Sequence, residues 1–287
     1  IRARPDDLGD VAVSLVLELL RMQDKFDIEN FGSKREAAMR ALVVEEPASV
    51  GQTLIEQLFE ESGLSDKLAI VACLQGAAFE LSGNKDLIEG MMKKAEERPS
   101  PTKMNLPSET QRHDETSKFQ NDQTLRVLTK TRRKRSRAEQ KAIRNQFSSV
   151  APTWFYSLIA GFIKHKENEV LWTGSTGSIL LTYFLRCLAT IVEFSGVQVA
   201  QVLANDLLNL VWDFRTADVA EVRLSVLVAV STSIALLSDE KLIALLYGEA
   251  SLPKTMLEMS HNDPDKECRS LCKTISVSIH EVLNTNF

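Results

Sequence analysis

Apolar residues recur at helical spacing along most of this chain, and that recurrence limits the fold more than any other feature. No proline interrupts residues 153–252. Within that window Val199, Leu203, Leu207, Leu210 and Phe214 advance by steps of three or four. Residues so spaced share one side of a helix, whereas a half-buried strand requires strict alternation. The dipeptides Asn-Gly and Asp-Gly, the strongest signals for a tight β-hairpin, do not occur. With 12 Gly and 8 Pro, the chain is also poorly supplied for a fold built on many tight turns. The predicted class is all-α.

Individual helices can be placed from stripes and punctuation. The first is expected over about 6–24, with Leu8, Val11, Leu15, Leu19 and Met22 as its core-facing stripe. Ser33 and Glu36 have the spacing of a capping box, which would open a second helix reaching Val44. Pro47 suits the first turn of a third, to about Glu61, because a missing N–H costs nothing there. Leu64, Leu68, Val71, Ala78 and Leu81 mark a fourth, ended near Gly83, with a weaker helix over 86–96. Beyond a compositional break, Pro152 opens a helix to about Lys164. The Gly174-Ser175-Thr176-Gly177 stretch reads as a loop before a helix over Ile179–Phe194, and Gly196 separates that helix from the next. Asp218 and Glu221 resemble another capping box, opening a helix to Leu237. Two short helices follow over 239–247 and 252–260, and Asp263-Pro264 starts the last one, through Leu283.

Helices joined by such short links pack as antiparallel neighbours. Four or five pairs, at intervals of about 40 residues, fit HEAT-type stacking. The expected fold is therefore an all-α, HEAT-like α-solenoid of antiparallel helix pairs with a polar, basic insertion. A compact irregular bundle is the alternative. Residues 1–92 form the N-terminal helical repeats in this reading, 93–146 the insertion and 147–287 the C-terminal repeats. The insertion stands out because 93–146 holds only seven large apolar residues, too few to cover a core face, and prolines at 99, 101 and 107. About 97–122 is expected to be disordered or extended, and about 123–145 to be a basic segment able to turn helical on a surface.

Charge is unevenly distributed. The net charge is −5, yet 130–144 carries Lys130, Arg132, Arg133, Lys134, Arg135, Arg137, Lys141 and Arg144 against Glu139 alone. An acidic body with one basic island argues against wholesale coating of nucleic acid and for charge arranged toward partners. These eight bases are the candidate partner-binding residues. The competing readings are a solvated tail, a site for an acidic protein surface or an inositol-phosphate-like polyanion, and nuclear-import or nucleic-acid contact. Aromatic side chains are not interleaved with the bases, so sequence-specific DNA binding is weakly supported.

No catalytic, cofactor or metal centre is legible. Cys268 and Cys272, with His261 and His280, can be drawn as four zinc ligands, but the spacing is not that of a structural zinc site, and helix packing explains the cysteines better. The Gly174–Gly177 stretch lacks the Lys-Ser/Thr of a phosphate loop. The histidines at 113, 165, 261 and 280 sit in no nucleophile motif, so no enzyme activity and no cofactor are expected. Trp154, Phe155 and Tyr156 spread around a helix, so one or two enter the core while another faces a neighbour or partner; Trp212 and Phe214 pose the same choice. Glu18, Arg186 and Glu193 interrupt apolar faces and are read as solvated. The four cysteines form no disulfide framework, which implies a reducing compartment. The opening residues lack a signal-peptide pattern, and the longest apolar run, 224–237, is too short to span a bilayer, so no membrane partner is expected. The first residue is not methionine, and the chain is expected to be a fragment.

Several blocks, in order, resemble the telomere length regulation protein family. They are Gln23-Asp24-Lys25-Phe26 with Asn30-Phe31-Gly32-Ser33-Lys34-Arg35-Glu36-Ala37-Ala38, then Asn145-Gln146-Phe147-Ser148-Ser149-Val150-Ala151-Pro152 continuing through Phe155-Tyr156-Ser157-Leu158. After them come Leu207-Leu208-Asn209-Leu210-Val211-Trp212-Asp213-Phe214-Arg215 with Ala220-Glu221-Val222-Arg223, and Asp263-Pro264-Asp265-Lys266-Glu267-Cys268-Arg269. The blocks surround a variable insertion ending in Lys130-Thr131-Arg132-Arg133. The resemblance implies a HEAT-like C-terminal domain of a TTT co-chaperone subunit. It also implies HEAT-repeat partner subunits, a role in maturing phosphatidylinositol-kinase-related kinases with the ninety-kilodalton heat-shock chaperone and its adaptors, and a cytoplasmic and nuclear location. It places the family's N-terminal solenoid and its acidic, serine-containing linker outside this chain.

Overall fold

The structure is a computed structural model that describes residues 9, 11–83, 145–165, 172, 174–238, 240–243 and 252–285. Among these residues there is no strand. The helices are α1 (Ala12–Arg21), α2 (Phe31–Glu45), α3 (Ser49–Phe59), α4 (Leu64–Leu81), α5 (Ala151–His165), α6 (Gly174–Phe194), α7 (Val197–Trp212), α8 (Ala220–Leu236), α9 (Leu252–Asn262) and α10 (Lys266–Thr285), with a 3₁₀ turn at Phe147–Ser149 before α5. They stack as an α-solenoid. One row runs α1, α3, α5, α7; the other runs α2, α4, α6, α8, α10, and each helix lies against its sequence partner in the opposite row. The helix that the sequence suggests over 86–96, the extended stretch over 97–122 and all of 123–145 except Asn145 lie outside the described residues.

The stack does not break where the insertion leaves it. One continuous core runs from Ala12 in α1 to Ile279 in α10. The Gln146 N–H donates to the Leu81 carbonyl at 3.1 Å, so the described chain on the far side of 84–144 returns to the end of α4. Asn145 Nδ2 donates to the Phe194 carbonyl at 2.8 Å, and Phe147, fully buried, meets Trp154 edge-on at 5.3 Å. Two reciprocal insertions lock α3 to α5. Trp154 of α5 fills the space beside Gly51, where a β-carbon would collide with its indole, and Phe59 of α3 occupies the equivalent space beside Gly161. The Trp154 indole N–H donates to the Pro47 carbonyl at 3.0 Å, which satisfies the polar atom of a side chain otherwise wholly buried. Phe59, Phe162, Trp172 and Phe184 continue this junction as an aromatic cluster.

Polar contacts cross the second row at each step. Arg40 of α2 lies 3.8 Å from Glu80 of α4. Gln75 of α4 donates to Thr190 of α6, and Arg186 of α6 donates to Ser225 of α8 at 2.9 Å. Arg223 of α8 pairs with Asp263, just before α10, at 2.9 Å. The first of these is half-exposed and contributes little to stability, while the last is buried. Lys67 is buried as well: its ammonium donates to the carbonyls of Leu58 and Glu60 at 2.7 and 2.5 Å and so closes the C-terminal end of α3.

Several local expectations are corrected. The stripe assigned to the core of α1 faces outward: Val11, Leu15 and Met22 are exposed, Leu19 is half-buried, and Ala12, Val16 and Leu20 are inside. Helix α1 is apolar on two sides, and the side carrying the small Ala12 allows the closest approach to α2, α3 and α4. Neither capping box forms. Asn30 precedes α2 in a left-handed conformation, with Ser33 already inside the helix, and α8 starts from Val219 without a side-chain cap. Helix α6 begins at Gly174, so the glycine-rich stretch is its first turn, with Gly177 pressed on the Trp172 backbone. Asp265, not Asp263, caps the last helix, accepting the N–H groups of Glu267 and Cys268. Arg186 is not solvated; it is held against Ser225.

Two consequences can be measured. Gly51→Ala should lower stability by about 1–3 kcal/mol through overpacking against Trp154. Leu227→Ala, at a fully buried position of α8, should lower it by about 2–5 kcal/mol; chemical denaturation checks both. Replacing 84–144 with a short Gly/Ser linker should leave the helical circular dichroism and the melting transition intact, since the ends already meet at Leu81 and Gln146.

Candidate protein-interaction surface

The eight bases named as partner-binding, Lys130, Arg132, Arg133, Lys134, Arg135, Arg137, Lys141 and Arg144, lie outside the described residues. The described residues offer a different surface, on the helix whose core stripe was misassigned. Val11, Leu15 and Met22 form an outward apolar line on α1, and the α1–α2 loop adds Phe26, 85% exposed, and Ile28. Large apolar side chains left exposed on one helix and the loop after it are candidates for a site of interaction.

The loop presenting Phe26 is built rather than slack. Asp24 Oδ1 accepts the N–H groups of Phe26 and Ile28 at 3.2 and 3.1 Å. Arg35 reaches back from α2 and donates to the Met22 carbonyl at 2.8 Å and the Leu20 carbonyl at 3.5 Å, closing the open end of α1. Its guanidinium also sits 6.0 Å from the centre of the Phe31 ring. Asp27 and Asn30 both hold positive φ, at 48° and 58°, a conformation that costs energy in any residue with a β-carbon. Arg21, Met22, Gln23 and Lys25 line a shallow cleft. A hydrogen-bonded loop holding an exposed aromatic is suited to gripping a protein surface, where such residues become binding hot spots. Periodicity alone hides this site, because it scores Val11, Leu15 and Met22 as core. The Asp24 to Arg35 hydrogen bonds depend on a fold that brings the start of α2 to the end of α1.

The other candidates resolve by burial. Trp154 and Phe155 are in the core, while Tyr156 is exposed and donates its hydroxyl to Asp206 at 2.8 Å. That bond, with smaller contributions from burial and the Asp206 charge, raises the Tyr156 pKa. Trp212 and Phe214 are half-buried against the core, and Arg215 lies 5.1 Å over the Trp212 ring. Cys268 and Cys272 are buried, whereas His261 and His280 are exposed, so the imagined zinc set is not assembled. Among the described residues no His, Cys, Asp or Glu group is gathered to hold a metal ion. Burial pushes the thiols of Cys73, Cys187 and Cys272 up to about 12, and that of Cys268 higher still, so all four are held as thiols while they stay buried. Burial lowers the Lys67 pKa, with Glu60 opposing, and lowers that of Arg186 against the influence of Tyr183 and Glu221. Helix α6 is, among the described residues, long and apolar enough to cross a membrane; here most of it is buried inside the stack.

The most developed polar site is structural. Arg223 Nε and Nη2 grip both oxygens of Asp263 at 2.9 Å, and Nη1 donates to the carbonyls of Ala217 and Asp218. Burial pushes the Asp263 carboxyl up, but the Arg223 hydrogen bonds, the Asp265 N–H and the charges of Arg223 and Arg269 outweigh it and hold the pKa below 3.8. The hydrogen bond to Asp263 likewise raises Arg223 despite its burial.

The comparisons with known proteins follow the same helices. Residues 1–78, which contain α1 to α4 and the Phe26 loop, match the model of the telomere length regulation protein family. The telomere length regulation protein TEL2 homolog of Homo sapiens is 28% identical over 280 residues, or 93% of this chain. Its counterparts in Mus musculus and Xenopus tropicalis are 26% and 24% identical over 278 and 270 residues, or 93% and 91% of this chain. The chain is similar to the telomere length regulation proteins. It spans about a third of the length of the relatives it matches, 32% in each case. No solved structure matches it. The relatives carry the name of a regulator, not of an enzyme.

Asp263 yields a pH dependence with a definite sign. Its folded pKa is depressed, so its contribution is present at neutral pH and is lost as pH falls below about 4 and through the folded value. The melting temperature of the wild-type chain should drop over that range, and Asp263→Asn should remove part of the slope when melts are followed from pH 7 to pH 2.5.

Proposed function

We propose that this chain is a non-catalytic protein-interaction scaffold that docks a helical partner on the apolar face of α1 and the Phe26 loop. The observation that supports this reading is Phe26 itself: an 85% exposed aromatic on a loop pinned by Asp24 and Arg35, directly after a helix that leaves Val11, Leu15 and Met22 exposed. Stacked helices present long surfaces, and an apolar helix face is suited to another helix of the same kind. The kinship with telomere length regulation proteins supports a specific setting. In it the chain acts as part of a TTT co-chaperone subunit, bound to the complex's HEAT-repeat subunits and supporting maturation of phosphatidylinositol-kinase-related kinases with the ninety-kilodalton heat-shock chaperone and its adaptors. The matching location is cytoplasmic and nuclear. Under this reading the chain needs no cofactor, metal or membrane.

A second reading rests on the eight bases within 130–144, which suit an acidic protein surface, an inositol phosphate or nucleic acid. Phosphate contacts release counterions, so such binding weakens steeply with salt.

One experiment separates the two. The wild-type chain should co-purify with the HEAT-repeat subunits of the complex. Phe26→Ser with Leu15→Ser should weaken that capture tenfold or more, on the order of 1.4 kcal/mol, without changing the melting transition. Replacing Arg132, Arg133, Lys134 and Arg135 with Ala should leave capture unchanged. Absence of capture at micromolar concentration contradicts the scaffold reading. Capture lost only in the basic variant, together with salt-sensitive binding to inositol phosphate or RNA, favours the second.

A further inference from the structure

The last helix pair is attached differently from those before it. Helices α3, α5 and α7 each touch the preceding member of their own row, while α4, α6 and α8 do the same in the other. For the terminal pair, α10 on α8 makes the main junction among the described residues, and α9 packs chiefly on α10. The pair has its own closure. Asp265 caps α10, and Arg269 donates to the carbonyls of Asp263 and Pro264 at 2.6 and 3.0 Å, so the α9–α10 corner holds itself.

Among the described residues the α8–α10 seam is bridged by a buried charge pair. Arg223, at the start of α8, ties the α7–α8 turn through Ala217 and Asp218 and grips Asp263 at the α9–α10 corner with both carboxylate oxygens. Both side chains are almost fully buried, at 8% and 4% exposure. Such a pair gains little over an apolar contact while intact, but its partner becomes an uncompensated buried charge when one member is lost. The hydroxyls of Ser231 and Ser233 on α8 and Ser276 on α10 are buried without a hydrogen-bond partner, which weakens the packing of the helices that carry them. Strong closure within the pair and one seam outside it are the ingredients of a unit that opens cooperatively.

We propose that α9 and α10 open from α8 as one body, ahead of global unfolding, and that the Arg223–Asp263 pair is the clasp controlling this opening. The chain carries its own reporters. Cys268 is buried at the seam, with its thiol 3.7 Å from the Ala220 carbonyl at the start of α8, whereas Cys73 of α4 and Cys187 of α6 are buried in the middle of the stack.

The test is alkylation of the intact native chain with N-ethylmaleimide, followed residue by residue by mass spectrometry. Cys268 is expected to react ahead of Cys73 and Cys187 in the wild type. Asp263→Asn is expected to accelerate Cys268 on the order of a hundredfold while leaving Cys73 and Cys187 unchanged. Cysteines reacting at one common rate, or an unchanged Cys268 rate in a folded Asp263→Asn variant, would overturn the proposal. Should that variant fail to fold by circular dichroism, the wild-type rates decide alone: Cys268 ahead supports a separately opening terminal pair, and a common rate refutes it.

Discussion

The junction between α3 and α5 carries the rest of the architecture. These helices flank, in their row, the point at which residues 84–144 leave the stack, and no short covalent link holds them together. What holds them is mutual insertion: Trp154 into the space at Gly51, and Phe59 into the space at Gly161. Neither aromatic would fit if the opposing residue carried a β-carbon. The helices therefore approach more closely than two ordinary surfaces could, and close contact over many atoms is where dispersion and apolar burial accumulate. With this lock in place α4 meets α6, the core continues, and the second half of the chain inherits the register of the first.

Much of this was legible in the residues and some was not, for identifiable reasons. Local periodicity suffices to place α4, which ends just before Gly83, and α7, whose Leu203 and Leu207 are buried as their spacing implies. It fails on α1, which is apolar on two sides; only the positions of α2, α3 and α4 decide that Ala12, Val16 and Leu20 go inside. Capping boxes are read from spacing, yet Asn30 enters α2 through a left-handed turn that carries Ser33 past the cap position. The Arg223–Asp263 pair joins residues forty positions apart, and no local pattern announces it. The candidate surface shares that difficulty, since Phe26 becomes a presented side chain only when Arg35 and Asp24 fold the loop beneath it.

On α1 a residue pattern that reads as core is left outside by the stack. Helices α9 and α10 meet α8, among the described residues, across a seam that the Arg223–Asp263 pair bridges. The middle, from α3 to α8, is stiffened by aromatic packing and polar rungs.

The central claim is that a single stacked core continues across 84–144. It is tested most directly by cutting the polypeptide there. A chain carrying one specific protease site within that segment is cleaved in native buffer and passed over a sizing column. The account predicts that the two pieces elute together at the position of the uncut protein and melt in one transition. Fragments that separate on the column, without denaturant, would contradict it.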